Sequence, residues 1–401
     1  TVRCATDVLQ RYHYSLQQLP FCGRIEEMNQ LRNFLDKDQK FLWWAITGQA
    51  GAGKSRLALE FLKRSTGSWF GFFINDKATQ EDFDSFEPFN NTVIVIDYVA
   101  GREGFVANAI RSIKDKFENV DYKVRILLLE RENSRNASSW YYKLIQRIGK
   151  YDSYDLKSTE YENYFLNLGD LDKASVEILI KEVMNQRGIE AADTVAYELC
   201  EAYGKKYEKL QFRPLFVQIF VEAWIENDFQ LPRYDKFEEL LQRLLEREQQ
   251  RWLEILDNDQ VCCNAFIRLL LRANISGKLQ PDNMPSYYQD DWYIVNSFLQ
   301  NHSFPGKQRE EEKKAIFATI CQNLDENSVE IEPLYPDLIK EYMFCFYMDD
   351  SRLPGVLNEL WQNEASKFST FITRSLTDFP EIPFFKRVLK EFDENTQNID
   401  V

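Results

Sequence analysis

Apolar residues in the N-terminal part of the chain come in short unbroken runs. Between the runs they recur every three or four positions. The runs are FLWWAIT (41–47), WFGFFI (69–74), TVIVIDYV (92–99) and YKVRILLLERE (122–132). Short runs rich in β-branched and aromatic residues, with no polar alternation, predict strands buried on both faces. In FCGRIEEMNQLRNFL (21–35), Ile25, Met28, Leu31, Phe34 and Leu35 follow helical spacing. Further helices are predicted from the Gly-rich segment to about Arg64 and over about 104–118. Alternation of this kind predicts an α/β domain: a parallel sheet covered by helices on both faces, with its ligand crevice at the carboxyl ends of the strands.

After about residue 150 the pattern becomes helical, as in DKASVEILIKEVMNQRG (172–188) and YDKFEELLQRLLEREQQRWLEIL (234–256). The second carries a thick Leu stripe with charges opposite, which predicts a packing face rather than a coiled coil. Residues 261–350 mix helical stretches with turns around Gly277, Pro281, Pro285 and Pro305, which suits a small helical or winged-helix domain. The last fifty residues read as helices that stop without a cap, as the start of a truncated helical array would.

Composition narrows the classes. The 401 residues are 44% hydrophobic and 28% charged, the balance of a globular protein with room for several domains. Against 49 Lys and Arg stand 64 Asp and Glu, a net charge of −15, which argues against wrapping nucleic acid or an anionic membrane surface. Two histidines leave no basis for a His-rich metal site. The seven cysteines show no CxxC spacing, and the vicinal pair Cys262–Cys263 reads as buried small apolar side chains. No apolar run approaches the ~20 residues that cross a bilayer, and there is no signal-peptide pattern. A reduced, cytoplasmic setting is expected, and the start at Thr1 reads as a piece of a longer chain.

Gly48-Gln49-Ala50-Gly51-Ala52-Gly53-Lys54-Ser55 fits G-x-x-x-x-G-K-[ST] between a predicted strand and a predicted helix, the context this motif requires. Glycines let the backbone curl so that successive N–H groups point at phosphate oxygens, and the following helix adds its positive end. In this pattern Lys54 neutralises the β- and γ-phosphates and Ser55 offers its hydroxyl to Mg²⁺. Asp97 ends the run VIVID, where a carboxylate can hold the same ion; an ordinary strand-end cap is the bland alternative. Glu130 and Arg131 close ILLLER and fall at the crevice, where Arg131 can distinguish triphosphate from diphosphate; a solvated surface arginine is the bland alternative.

Together, FCGRIEEMNQLRNFL, ITGQAGAGKSRLALEF, VIVIDYVAGR and VRILLLERENSRNASSWYYKL resemble the STAND class of P-loop ATPases over residues 21–150. This is the AAA+-related signalling branch that includes the NACHT and apoptotic-ATPase families. The resemblance is closest to bacterial multi-domain members. It implies ATP or ADP with Mg²⁺ as ligands. Gly23 and Arg24 would lie near adenine and ribose, and Gly48 to Ser55, with Arg56, would form the phosphate loop. Ser55 and Asp97 would hold the metal, and Arg131 would be the sensor arginine. FRPLFVQIF (212–220) resembles the family's proline motif, with Pro214 packed on the base and Arg213 approaching phosphate. The expected layout is an N-terminal segment (1–20), a P-loop α/β domain (21–150), a helical lid (151–256), a winged-helix-like domain (257–350) and C-terminal helices (351–401).

Two positions depart from the family. Where related chains carry a water-orienting Glu after Asp97, this one has Ala100, and Glu103 is the acid that could substitute if the loop turns back. Where many members place a His near the end of the winged helix, LYPDLIKEYMF (334–344) has Pro336. The resemblance therefore implies a slowly hydrolysing switch that couples nucleotide state to domain rearrangement. Its partners would be a second copy of the chain or protein effector and sensor domains, and the resemblance to bacterial members implies a role in defence. The alternatives are a nucleotide-binding scaffold with little or no hydrolysis, which Ala100 favours, and an AAA+-like ATPase acting on nucleic acid, which the charge disfavours.

Overall fold

Side chains on successive strand residues point to opposite sheet faces, so an unbroken apolar run inside a sheet feeds two cores; the run at 70–73, which becomes an edge strand, stays partly exposed instead. The computed structural model describes residues 12–74, 78–87, 89–117, 121–137, 139–162, 164–190, 193–207, 212–233, 236–277, 279–280, 284–301, 331, 333–348 and 353–396. It divides into two compact units, one spanning Leu19–Pro232, the other joining Thr1–Gln18 to Arg233–Val401.

The first unit runs α1 (Ile25–Asp36), β1 (Phe41–Thr47), α2 (Lys54–Arg64), β2 (Phe70–Phe73), α3 (Gln80–Ser85), β3 (Thr92–Asp97), α4 (Glu103–Phe117), β4 (Val124–Glu130), α5 (Trp140–Lys157), β5 (Leu166–Asn167), α6 (Lys173–Gln186), α7 (Asp193–Lys206) and α8 (Pro214–Glu226). The strands form a five-stranded sheet ordered β2-β3-β4-β1-β5, parallel throughout. Strand parity sorts the core as expected. Trp43, Ala45, Ile94, Ile96, Ile126 and Leu128 face α3, α4 and α5. Leu42, Trp44, Ile46, Val93, Val95, Leu127 and Leu129 face α1 and α2.

The sequence pattern underestimates three elements. β5 is only two residues long, too short to give an apolar run. α5 straddles residue 150, where the pattern passes from alternating runs to helices. α8 is buried almost all round by Leu215, Phe216, Val217, Ile219, Phe220, Val221 and Trp224, so it shows no polar stripe; Pro214 at its first turn and Arg213 as N-cap mark where it starts.

The second unit contains α9 (Phe237–Ile255), α10 (Gln260–Ser276), α11 (Gln289–Asn301), α12 (Asp337–Tyr347), α13 (Leu353–Asp378) and α14 (Pro383–Thr396). The Asp259 carboxylate caps α10 by accepting from the Val261 and Cys262 amides. Cys262 and Cys263 are fully buried free thiols, as small apolar side chains would be. Residues 1–11 of the expected N-terminal segment and 302–330 of the expected winged-helix region lie outside the described residues. Among the described residues no helix is long and apolar enough to cross a membrane.

Among the described residues of the first unit, one charged side chain is wholly enclosed. Arg125, on β4, is 0% exposed. Its guanidinium donates to the carbonyls of Phe34 (2.8 Å), Leu35 (3.2 Å) and Lys37 (2.7 Å), and also to Lys40 and Val124. It therefore closes the C-terminal end of α1, where a cation also suits the helix dipole. Burial pushes its pKa down to about 10, so it stays charged at neutral pH. Arg125→Met keeps the bulk but strips every donor from those carbonyls. A loss of about 3 kcal/mol in urea unfolding is expected; a loss below about 1 kcal/mol would mean that water replaces the guanidinium.

Candidate functional site

The Gly48–Ser55 segment links β1 to α2, and register sets its surroundings. Thr47 pairs with Glu130 across β1 and β4, and Asp97 pairs with Leu129 across β3 and β4. The carboxyl ends of the three central strands thus finish level, with the loop beside them.

The loop's main chain is held from outside. Lys54 Nζ donates to the carbonyls of Gly48 (2.6 Å) and Gln49 (3.2 Å). The Ala50 carbonyl accepts from Arg213 at 3.0 Å and the Gly51 carbonyl from the Leu215 amide at 3.3 Å. The Ala52 carbonyl accepts from Arg24 at 3.2 Å and the Gly53 carbonyl from the Leu57 amide at 2.8 Å. Every carbonyl from Gly48 to Gly53 is therefore committed to a donor, and those of residues 50–52 to groups from α1 or α8. A loop that spends its acceptors this way presents donors to an anion, and Gly53, in the left-handed region at φ 93°, caps α2 at its positive end.

Ser55 and Asp97, expected to share a metal, are brought together: the Ser55 hydroxyl donates to Asp97 Oδ2 at 2.7 Å. Asp97 Oδ1 accepts from the Tyr98 amide at 3.0 Å. A hydroxyl beside a carboxylate is an oxygen pair of the kind a hard cation takes. Tyr98 itself sits at φ 59°, a left-handed conformation unusual for an aromatic residue.

The two expected arginines serve the loop's framework. Arg24, at φ 63° just before α1, donates to the Gly169 carbonyl at 2.6 Å and to Glu27 at 2.9 Å, besides Ala52. Arg213 lies 3.8 Å from the Phe216 ring centroid and is 8% exposed. Pro214 packs beside Gly53. Burial raises the pKa of Asp170, between these arginines, while the Phe212 amide and the charges of Arg213 and Arg24 oppose the shift. Arg56, expected at the nucleotide, directs its guanidinium to Glu60 and the Leu19 carbonyl instead, because its place on α2 lies within reach of the i+4 carboxylate.

Glu103 opens α4 and is 7% exposed; among the described residues no hydrogen bond or ion pair draws it to Asp97. The carboxylate that reaches the Asp97–Ala100 run is Glu130, which accepts from the Ala100 amide at 2.7 Å and the Arg131 amide at 2.6 Å. Arg131 follows directly, half-buried, at the end of β4. Pro336, the other departure, caps α12 in the second unit. Sequence reading placed Glu130 at the crevice but gave it no task. It missed Leu215 and Gly169, whose parts are played by main-chain atoms that any residue could supply.

These features define a P-loop NTPase fold, a parallel sheet with helices on both faces followed by helices. No family model matches the chain, and no curated protein matches it. Solved structures similar to it include a Walker-type ATPase of Pyrococcus abyssi, 12% identical over 80% of this chain and 96% of that one, with a TM-score of 0.35. Another is domain III of the Thermotoga maritima replication initiation protein DnaA, 11% identical over 60% and 99%, with a TM-score of 0.37. The Aeropyrum pernix Orc1 protein in complex with DNA is 10% identical over 82% and 93%, with a TM-score of 0.36.

Gly51 tests the seating of α8 on the loop. It lies at φ +77°, and a Cβ there would stand 3.1 Å from Leu215 Cβ. Gly67, at φ +98° with nothing within 4 Å, supplies the backbone control. Gly67→Ala should cost about 1 kcal/mol from conformation alone, and Gly51→Ala about 1–3 kcal/mol more from crowding. Equal losses in parallel denaturation curves would show that α8 yields freely.

Proposed function

We propose that the chain is an ATP-binding, slowly hydrolysing switch of the STAND type, in which nucleotide state biases domain arrangement. The observation that carries the nucleotide part is the phosphate loop whose six carbonyls are all bound elsewhere, set beside the paired Ser55 and Asp97. Lys54, the loop amides and the start of α2 would hold the phosphates, and Ser55 with Asp97 would hold Mg²⁺, which supplies charge neutralisation between the β- and γ-phosphates. Lys54, an ammonium with three donors, would share them between loop carbonyls and phosphate oxygens. Arg131, at the end of the strand beside Asp97, would be the group that senses the γ-phosphate. Gly23, Arg24 and Pro214 would border the base and ribose.

The switch part rests on two further features. Ala100 has no carboxylate with which to orient an attacking water, which favours slow turnover. Arg213 and Leu215, at the start of α8, grip the carbonyls of Ala50 and Gly51, so a shift of the loop on filling would be felt by the helix. A ligand moves a two-state equilibrium only by binding the two states differently, and this contact supplies a place where they can differ. Self-association or a protein effector is the expected output. The net charge of −15 disfavours broad wrapping of nucleic acid and leaves room for a local basic patch.

Lys54→Ala should weaken ATP binding roughly 10- to 100-fold, the worth of a charge-assisted phosphate contact; unchanged affinity in titration calorimetry would refute the phosphate-loop reading. Asp97→Asn should bind ATP equally with and without EDTA, whereas the parent loses affinity when Mg²⁺ is removed. Phosphate release by the parent is expected below about 10⁻² s⁻¹. Light scattering on a sizing column, in ATP, ADP and no nucleotide, should give different mass or shape. Identical profiles in all three would favour a nucleotide-binding scaffold, and DNA-stimulated phosphate release would favour the nucleic-acid reading.

A further inference from the structure

Glu130 is 3% exposed, and both of its carboxylate oxygens are engaged by main-chain amides. Oε2 accepts from Ala100 at 2.7 Å and Oε1 from Arg131 at 2.6 Å. Its own carbonyl accepts from the Gly48 amide at 3.2 Å. One residue therefore ties together the start of the phosphate loop, the turn after Asp97 and the root of Arg131. A carboxylate with both oxygens bound to amides is a poor base for a water molecule but a strong brace for backbone.

The turn it braces is strained. The Tyr98 amide is shared between the Leu129 carbonyl at 3.2 Å and Asp97 Oδ1 at 3.0 Å. Tyr98 keeps its left-handed φ of 59° between that bond and the Glu130–Ala100 bond two residues on. A sparsely populated conformation persists only where its surroundings over-determine it. Without the Glu130 carboxylate, the Ala100 end of the turn loses this anchor, and the turn that carries Asp97 is less firmly held.

We infer that Glu130 is a positioning residue that holds the Asp97 turn and Arg131 in one arrangement and so sets the preference of the site for triphosphate over diphosphate. This rests on the nucleotide reading above. The β-phosphate, which both nucleotides carry, would be held by the loop and Lys54, whose carbonyl contacts do not pass through the Glu130 carboxylate. Asp97 and Arg131 are placed to act on the γ-phosphate and its cation. Loss of the brace should therefore be felt by ATP and hardly by ADP.

The test is calorimetric titration of the full chain with Mg²⁺ and either ADP or a non-hydrolysable ATP analogue. Glu130→Gln, which turns one acceptor into a donor facing an amide, should weaken the analogue about tenfold or more and leave ADP within about twofold. Arg131→Ala should lower analogue affinity too. In the Arg131→Ala background, Glu130→Gln should lose most of its effect, since the two act as one unit. Glu130→Asp, still charged but one methylene short, gives an intermediate loss and serves if the amide variant does not fold. Parallel weakening of both ligands, or no weakening of either, leaves the ratio of affinities unchanged and would overturn the inference. If the parent binds neither ligand, the nucleotide reading fails and this inference with it; if the parent binds both and only the ratio is unmoved, this inference alone fails.

Discussion

The arrangement of the site depends on where the carbonyls of one short loop find their partners. A backbone segment can offer its N–H groups to an anion only if its C=O groups are satisfied elsewhere. Here Lys54 takes two of them, Arg24 and Arg213 one each, the Leu215 amide another, and α2 the last. Three of those partners, Arg24, Arg213 and Leu215, stand at the beginnings of α1 and α8, so the loop's shape is joined to helices far apart in sequence. Any change in the loop must be accommodated by those contacts, and any movement of α8 must be accommodated by the loop.

Sheet order gives that dependence its second half. β4 lies between β1, which leads into the loop, and β3, which ends at Asp97. The end of β4 therefore touches both neighbours, and Glu130 uses its carbonyl on one side and its carboxylate on the other. At the opposite end of the same strand, Arg125 spends its donors on the C-terminal carbonyls of α1. β4 thus carries a buried acid at the functional end and a buried base at the far end. Each satisfies main-chain groups that the regular elements leave over.

Much of the first unit was legible in the chain itself. Four runs without polar alternation become four parallel strands; β1, β3 and β4 are buried at both parities, whereas β2 at the sheet edge leaves Phe70 exposed. The loop was recognisable because glycine spacing and Lys-Ser are set by backbone geometry and phosphate chemistry, which leave little freedom. The meeting of Ser55 with Asp97 was implied by their strand ends. By contrast, α8 was hard to read because burial on all sides erased its period. β5 was too short to register, and Arg56 looked like part of the motif although its side chain turns to Glu60.

The sequence by itself determined the class of fold, the position of the loop and the chemical types gathered at the strand ends, since periodicity and motif spacing are local properties. Only the tertiary structure decided what each charged group does there. Arg24 and Arg213, read as nucleotide contacts, hold loop carbonyls in this structure. Glu103, the acid nearest Asp97 along the chain, makes no bond to it among the described residues, while Glu130, thirty residues from Ala100, closes that turn. The physical reason is that side-chain roles follow from distance and competing partners across the sheet. Those are set by strand order, and strand order is not written in any one segment.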